Sequence, residues 1–256
     1  MNILDVTGLP ENYLLARKRR IEAAQNSGKQ FFEGKSFETI KRETGTAIGG
    51  IIGAKGKVAI LGADGQMSLG DQKIGGFKKI FEIDKYTAVG ITGSVAFLQD
   101  IVKIFEAEVN FIQMSKSDNT FISPSGKANI LASLVKQIIV FPLVYGIGVG
   151  FLLGVYDPKD DEARLFEIGS FGSVIESEKN IVANGCGRNW VYSVLEDNYQ
   201  KLGGINMNRK DLLRLMERAI GSAVRNDTFC GHPKLFYAID KDGASEIDKN
   251  GARRKK

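Results

Sequence analysis

Apolar and polar positions divide the chain into blocks that follow two different periods. From Thr46 to about Ile91 the pattern is that of strands, at 46–52, 57–63, Met67–Leu69, 79–83 and 86–92, with Gly and Asp at the turns. The period then changes. Phe97, Leu98, Ile101, Val102, Ile104, Phe105 and Val109 keep the spacing of one helical face, and Ser94 is placed to cap that helix. After a loop at 115–119, Ser123-Pro-Ser-Gly-Lys opens a second helix predicted to run to about Val140. Residues 138–156 are the most apolar stretch, close to the ~20 residues a membrane span needs. Pro142 and the repeated glycines predict instead a helix end, a turn and a fully buried strand. Further on, 163–168 and 172–176 read as a hairpin and Asn180–Ala183 as a short strand. Helices at about 188–201 and 209–225, then a strand at Lys234–Asp240 with a turn at 241–243, complete the pattern. Ahead of all this, residues 1–45 are polar and charged. Their one helical piece, Tyr13–Gln25, brings Leu14, Leu15, Ile21 and Ala24 to a shared face and predicts an extension with little core of its own.

Strands and helices in blocks, rather than in strict alternation, predict an α+β fold with antiparallel sheets and helices on the outer faces. A chain of 256 residues suffices for one such domain plus an extension. The formal net charge of +5 is concentrated at Arg17–Arg20 and in a basic tail, 249–256. Neither cluster is interleaved with aromatics, which favours a solvated helix face and a frayed terminus over contact with nucleic acid or membrane. Two cysteines, Cys186 and Cys230, cannot make a disulfide framework and point to a reducing compartment. With one His beside them, the spacing offers no metal-ligand cluster, and no cofactor is expected. The N-terminus lacks the basic start and apolar core of a signal peptide.

The chemistry-bearing stretch is 43–64. Gly45 stands directly before Thr46, which opens a glycine-punctuated apolar run; a second strand ends in Asp64. A cut between Gly45 and Thr46 gives Thr46 a free α-amine beside its own hydroxyl. A threonine hydroxyl is a weak nucleophile, and an amine with a pKa near ~8 is a suitable base for it. A Gly-rich hairpin with a surface threonine fits this stretch equally well.

Other motifs follow in order: Val58-Ala-Ile-Leu-Gly-Ala-Asp64, Lys78-Lys79-Ile-Phe-Glu-Ile-Asp84, Ala88-Val-Gly-Ile-Thr-Gly93, Ala183-Asn-Gly-Cys186-Gly and Arg225-Asn-Asp227-Thr-Phe-Cys230-Gly. With Thr44-Gly45-Thr46 they carry a resemblance, from Thr44 to about Asp248, to the β-type subunits of the 20S proteasome, which are N-terminal-nucleophile (Ntn) hydrolases. The stretch from Gly126 to Asn129 is similar to the actinobacterial branch. The resemblance implies a four-layer αββα sandwich over 46–248 and a propeptide, 1–45, removed autocatalytically at Gly45-Thr46. It also implies a cytoplasmic threonine endopeptidase that degrades unfolded proteins. Such a subunit builds heptameric rings with itself and works with α-type subunits and an ATP-dependent unfoldase.

On that resemblance Thr46 is the nucleophile and Lys79 stabilises developing negative charge beside its amine. Asp64 pairs with Lys79, the Gly93 N–H meets the oxyanion, and Asp227 orients the neighbouring loop. Met67, Ser68, Ile91 and Val95 fall where substrate is held, and their character favours medium to large hydrophobic residues before the cut. Two departures stand out. Cys186 and Cys230 occupy the supporting loops where serine is usual, so the proton path near the amine is altered; thiols whose oxidation inhibits and thiols that are buried and inert are both open readings. Asp64-Gly-Gln66 lacks the usual arginine and is similar to the peptidase of the bacterial two-component ATP-dependent protease. A non-catalytic structural β-type subunit and a small-amide hydrolase of the same fold remain alternatives.

Overall fold

The computed structural model describes residues 11–32, 46–69, 72–93, 95–115, 121–138 and 149–254. Helix α1 (Glu11–Phe32) precedes strands β1 (Ala47–Gly53), β2 (Val58–Asp64), β3 (Met67–Leu69), β4 (Gln72–Ile74), β5 (Ile80–Asp84) and β6 (Thr87–Thr92). Helices α2 (Val95–Ser115) and α3 (Pro124–Ile138) follow, then β7 (Gly150–Asp157), β8 (Glu162–Ile168), β9 (Val174–Glu176) and β10 (Ile181–Gly185). The chain closes with α4 (Arg188–Tyr199), α5 (Arg209–Asn226), β11 (Lys234–Asp240) and β12 (Gly243–Glu246). One antiparallel sheet has the order β10-β1-β2-β11-β12 and the other β5-β6-β7-β8-β9, with β3-β4 as a separate hairpin.

Three apolar layers separate four structural ones. Ile48, Ile52, Leu61, Leu152, Leu165 and Ile239 fill the space between the two sheets. Ile51, Ile60, Val191, Leu195, Met216 and Ile220 lie between the first sheet and α4–α5. Val89, Phe105, Leu131, Val135, Phe151 and Phe166 lie between the second sheet and α2–α3. The glycine run of β1 now has a physical reason. Every residue of β1 is buried, and successive side chains point alternately to the other sheet and to the helices. A methyl group at Gly49 would stand 2.8 Å from Val191 Cγ1, and one at its cross-strand neighbour Gly62 would stand 2.6 Å from Met216 Cγ. The glycines form the floor on which α5 sits. Asn208 caps α5, its side chain accepting from the Asp211 N–H at 3.0 Å, and fixes where that helix begins.

Most predicted elements stand within a residue or two of their expected ends. The strand at 150–157 is buried throughout, as the glycine-broken apolar run required, whereas residues 139–148 lie outside the described ones. Among the described residues no helix is long and apolar enough to cross a membrane. The short strands β4 and β12 have no apolar run and escaped the pattern.

Two expectations change. Leu14 and Leu15 of α1 are 42% and 50% exposed, and the face that packs is Arg17, Ile21 and Ala24. Ile21 and Ala24 join the apolar layer of α2–α3, Arg17 pairs with buried Glu108, and Tyr13 stacks on Phe111. The extension thus contributes to the core, because one arginine with a buried acid partner serves as an inner position. The basic tail is not frayed through residue 254. Arg253 pairs with Asp240 and donates to the Gly243 carbonyl at 2.8 Å, while Arg254 pairs with Glu246.

Candidate active site

Strand register brings the predicted residues together. In the β1–β2 pair Ile48 faces Ala63, so one step further Ala47 faces Asp64 at the end of β2. In the β1–β10 pair Ala47 faces Gly185, so Thr46 meets Cys186 in the turn that leads into α4. Across the sandwich, Lys79 precedes β5, and the Ile91 N–H of β6 donates to its carbonyl at 2.9 Å. This register sets the end of β6, Thr92-Gly93, near the same point. A methyl group at Gly185 would stand 2.2 Å from the Thr46 carbonyl oxygen and 3.4 Å from Thr92 Cγ2. Gly93 has φ +115°, a left-handed conformation that glycine adopts without strain, and it ends the strand there.

Thr46, Asp64 and Lys79 are all fully buried. The Lys79 ammonium donates to Asp64 Oδ1 at 2.9 Å. The same oxygen accepts the Ala47 N–H at 2.8 Å, and Oδ2 accepts the Gln66 N–H at 3.1 Å and the Gly231 N–H at 3.0 Å. A carboxylate offers about four acceptor positions, and all four are taken. Asp64 is therefore an anchor and a counter-ion, with no lone pair left to act as a base. It fixes the start of β1, the β2–β3 turn, the loop before β11 and the lysine at once. Gln66 and Gly231 carry no chemical label in the sequence and were missed, because their contribution is a backbone N–H.

The supporting loops converge on the other side of Thr46. Its N–H donates to Cys186 Sγ at 3.1 Å, and its carbonyl accepts from the Gly187 N–H at 3.2 Å and the Cys186 thiol at 3.3 Å. Asp227 ends α5; its backbone N–H donates to the Ala223 carbonyl and its side chain accepts the Phe229 N–H at 2.9 Å. The Cys230 N–H closes the turn on the Asp227 carbonyl at 3.1 Å. This tight turn returns the chain so that the Cys230 and Cys186 sulfurs stand 3.9 Å apart. Hydrogen bonding to Cys186 raises the Cys230 thiol pKa, burial and the nearby Asp64 and Asp227 charges adding to it, so it stays protonated at neutral pH.

Cys186, Asp227 and Cys230 also form a group whose ligand atoms all lie within 4.8 Å of one another. Spacing along the chain predicts no metal-ligand cluster, because its members stand 41 and 3 positions apart; the fold nevertheless brings the two supporting loops together. Ile91 is fully buried beneath α2 and α3. Met67 and Ser68 lie on β3 and Val95 opens α2, with side chains outside the described ones; Gly45 and Ser94 lie outside the described residues altogether.

A sequence profile described as "Proteasome subunit" matches residues 42–234. The chain belongs to the proteasome subunit family. It is 30% identical over 203 residues to "Proteasome subunit beta 2" of Pyrococcus furiosus, which covers 79% of this chain and 90% of that relative. It is 33% identical over 188 residues to "Proteasome subunit beta" of Methanocaldococcus jannaschii, 72% of this chain and 77% of that relative. A third, "Proteasome subunit beta 1" of Thermococcus sibiricus, is 29% identical over 206 residues. The two sheets between helix pairs are the αββα sandwich expected of a proteasome β-type chain.

Proposed function

We propose that this chain is a threonine endopeptidase subunit of a proteasome, made as a precursor that cleaves itself between Gly45 and Thr46. The observation that carries the reading is the buried Lys79–Asp64 pair at the start of β1, held by three backbone N–H groups beside Thr46. Burying an ion pair costs several kcal/mol per ion before their attraction and hydrogen bonds offset it. A subunit that serves only to fill a ring has no need of an ammonium at that point.

In the precursor, Thr46 Oγ attacks the Gly45 carbonyl carbon, the C–N bond breaks, and the freed amine takes up a proton. Water then hydrolyses the resulting ester and releases residues 1–45 with a new carboxylate on Gly45. In the mature chain the α-amine accepts the Thr46 hydroxyl proton as Oγ attacks a substrate carbonyl, and passes it to the departing amine. The Lys79 ammonium stabilises the developing charge, and the Gly93 N–H meets the oxyanion, a contribution of roughly 3 kcal/mol for one such donor. Water completes the cycle by hydrolysing the acyl-threonine. Rings of this chain, stacked with α-type subunits and fed unfolded protein by an ATP-dependent unfoldase in the cytoplasm, are the setting that the family suggests.

The test is hydrolysis of a fluorogenic peptide with a large apolar residue before the cut. The assembled parent is expected to turn over, and Thr46→Ala to lose that activity to background. Equal rates in the two proteins would refute the reading. A second reading, a non-catalytic β-type subunit, draws on Cys186 and Cys230 in the supporting loops, since thiols are weaker hydrogen-bond donors than hydroxyls.

A further inference from the structure

The two cysteines are distant in sequence, yet they face each other across the end of β1 with a carboxylate beside them. Their sulfurs are 3.9 Å apart, and the Asp227 carboxylate lies within 4.8 Å of both. A tetrahedral zinc ion with Zn–S bonds of about 2.3 Å holds two thiolates about 3.8 Å apart. The observed separation therefore suits two ligands of one ion without movement of either sulfur. A disulfide needs S–S of about 2.05 Å and so a much larger displacement. The carboxylate is already oriented, because Asp227 accepts the Phe229 N–H at 2.9 Å, the kind of outer contact that fixes a ligand's direction. Cys186 is exposed and Cys230 buried, which gives an ion a way in and a closed back wall. Finally, the Thr46 nitrogen lies 3.1 Å from Cys186 Sγ, next to one of the two sulfurs.

We propose that Cys186, Cys230 and Asp227 form a binding site for a thiolate-preferring divalent ion of the Zn²⁺ class, with its fourth position open to the α-amine of processed Thr46. Two sulfurs and one oxygen disfavour Mg²⁺ and Ca²⁺, which take oxygen ligands. Binding displaces the two thiol protons, so occupancy rises with pH. An ion that holds the amine lone pair removes the base from the nucleophile. The site is then a reversible brake on hydrolysis, and this consequence rests on the peptidase reading, whereas the ion binding does not.

The experiment uses the assembled full chain, freed of metal with a chelator and titrated with Co²⁺, then Zn²⁺. The expected result is a thiolate-to-cobalt charge-transfer band with the visible bands of a tetrahedral ion, saturating at one ion per chain and erased by Zn²⁺. The chain has only these two cysteines, so the band assigns the ligands even if a variant fails to fold. The Cys186→Ser, Cys230→Ser double variant is expected to lack the band and to bind Zn²⁺ at least ~100-fold more weakly. No charge-transfer band at one equivalent, or unchanged Zn²⁺ affinity in the double variant, would overturn the site. Peptide hydrolysis is read alongside. Zn²⁺ at saturating occupancy is expected to stop the parent and spare the double variant; hydrolysis that persists in the ion-loaded parent would overturn the contact with the amine. Absence of hydrolysis in chelator-treated parent is a failure of the peptidase reading instead, and the cobalt spectrum still decides the ion site.

Discussion

Replacing Asp64 by Asn is the sharpest perturbation of the arrangement around Thr46. The side chain keeps its shape and loses one oxygen to an NH2 group. Oδ1 faces the Ala47 N–H and the Lys79 ammonium, and Oδ2 faces the Gln66 and Gly231 N–H groups. Whichever way the amide turns, its NH2 group confronts two donors, and the fully buried Lys79 loses its counter-charge. A buried donor without an acceptor costs about 1–3 kcal/mol, and removing one partner of a buried ion pair costs about 3–5 kcal/mol. The two penalties overlap, so about 3–5 kcal/mol in total is expected. With an unfolding slope of about 3 kcal/mol/M in urea, the midpoint followed by far-UV circular dichroism falls by about 1–1.7 M. Adding Lys79→Met to Asp64→Asn removes the orphaned ammonium and is expected to restore part of that loss, a coupling that contacting residues show and independent ones do not. A midpoint for Asp64→Asn within ~0.3 M of the parent would refute the claim that this carboxylate anchors four donors.

Gly185→Ala forces a methyl group to 2.2 Å from the Thr46 carbonyl at φ +95°. Strain and overpacking together cost about 2–4 kcal/mol, seen as a melting temperature lower by about 5–15 °C with a matching loss of self-cleavage. On the far side of the second sheet, Lys127, fully buried, pairs with Asp84 at 2.6 Å and donates to Thr87 Oγ1 at 2.8 Å. Burial alone pushes the Asp84 carboxyl up, but the Lys127 charge and hydrogen bond outweigh it and leave the pKa below the ordinary 3.8. A depressed folded pKa gives stability that is complete above about pH 3.8 and is lost as pH falls through the folded value. Asp84→Asn is accordingly expected to flatten the acid side of the stability profile below that pH, and an unchanged slope in acid-unfolding curves would count against the pair. Peroxide is expected to slow peptide hydrolysis in the parent and to leave the Cys186→Ser, Cys230→Ser double variant active; equal loss in both would place the sensitive group elsewhere.

The strands and helices were legible because burial imposes a period. The fully buried β1 and β7 and the 3.6-residue face of α2 leave little choice of element. The site was legible only through motif order. Asp64 and Lys79 read, one at a time, as surface residues, and it is the strand register that makes them partners. What the sequence hid is what the chain does with its backbone and at long range. The donors from Gln66 and Gly231 are main-chain groups that any residue supplies. The Cys186–Asp227–Cys230 cluster depends on two tight turns meeting across the end of β1. The buried Lys127–Asp84 pair joins a helix residue to one at a strand's end, 43 positions away. Helix α1 was misjudged at Arg17, because a charged side chain on an inner face is readable only when its buried partner, Glu108, is known.

On the proposed mechanism Thr46 makes itself the N-terminus of the working chain. The most direct measurement is the intact mass of the assembled protein beside its Thr46→Ala counterpart. The parent is expected to lose residues 1–45 and begin at Thr46, while the variant keeps its full length. Full length in both proteins, even when assembled with an α-type partner, would leave Thr46 without a free amine and contradict the mechanism.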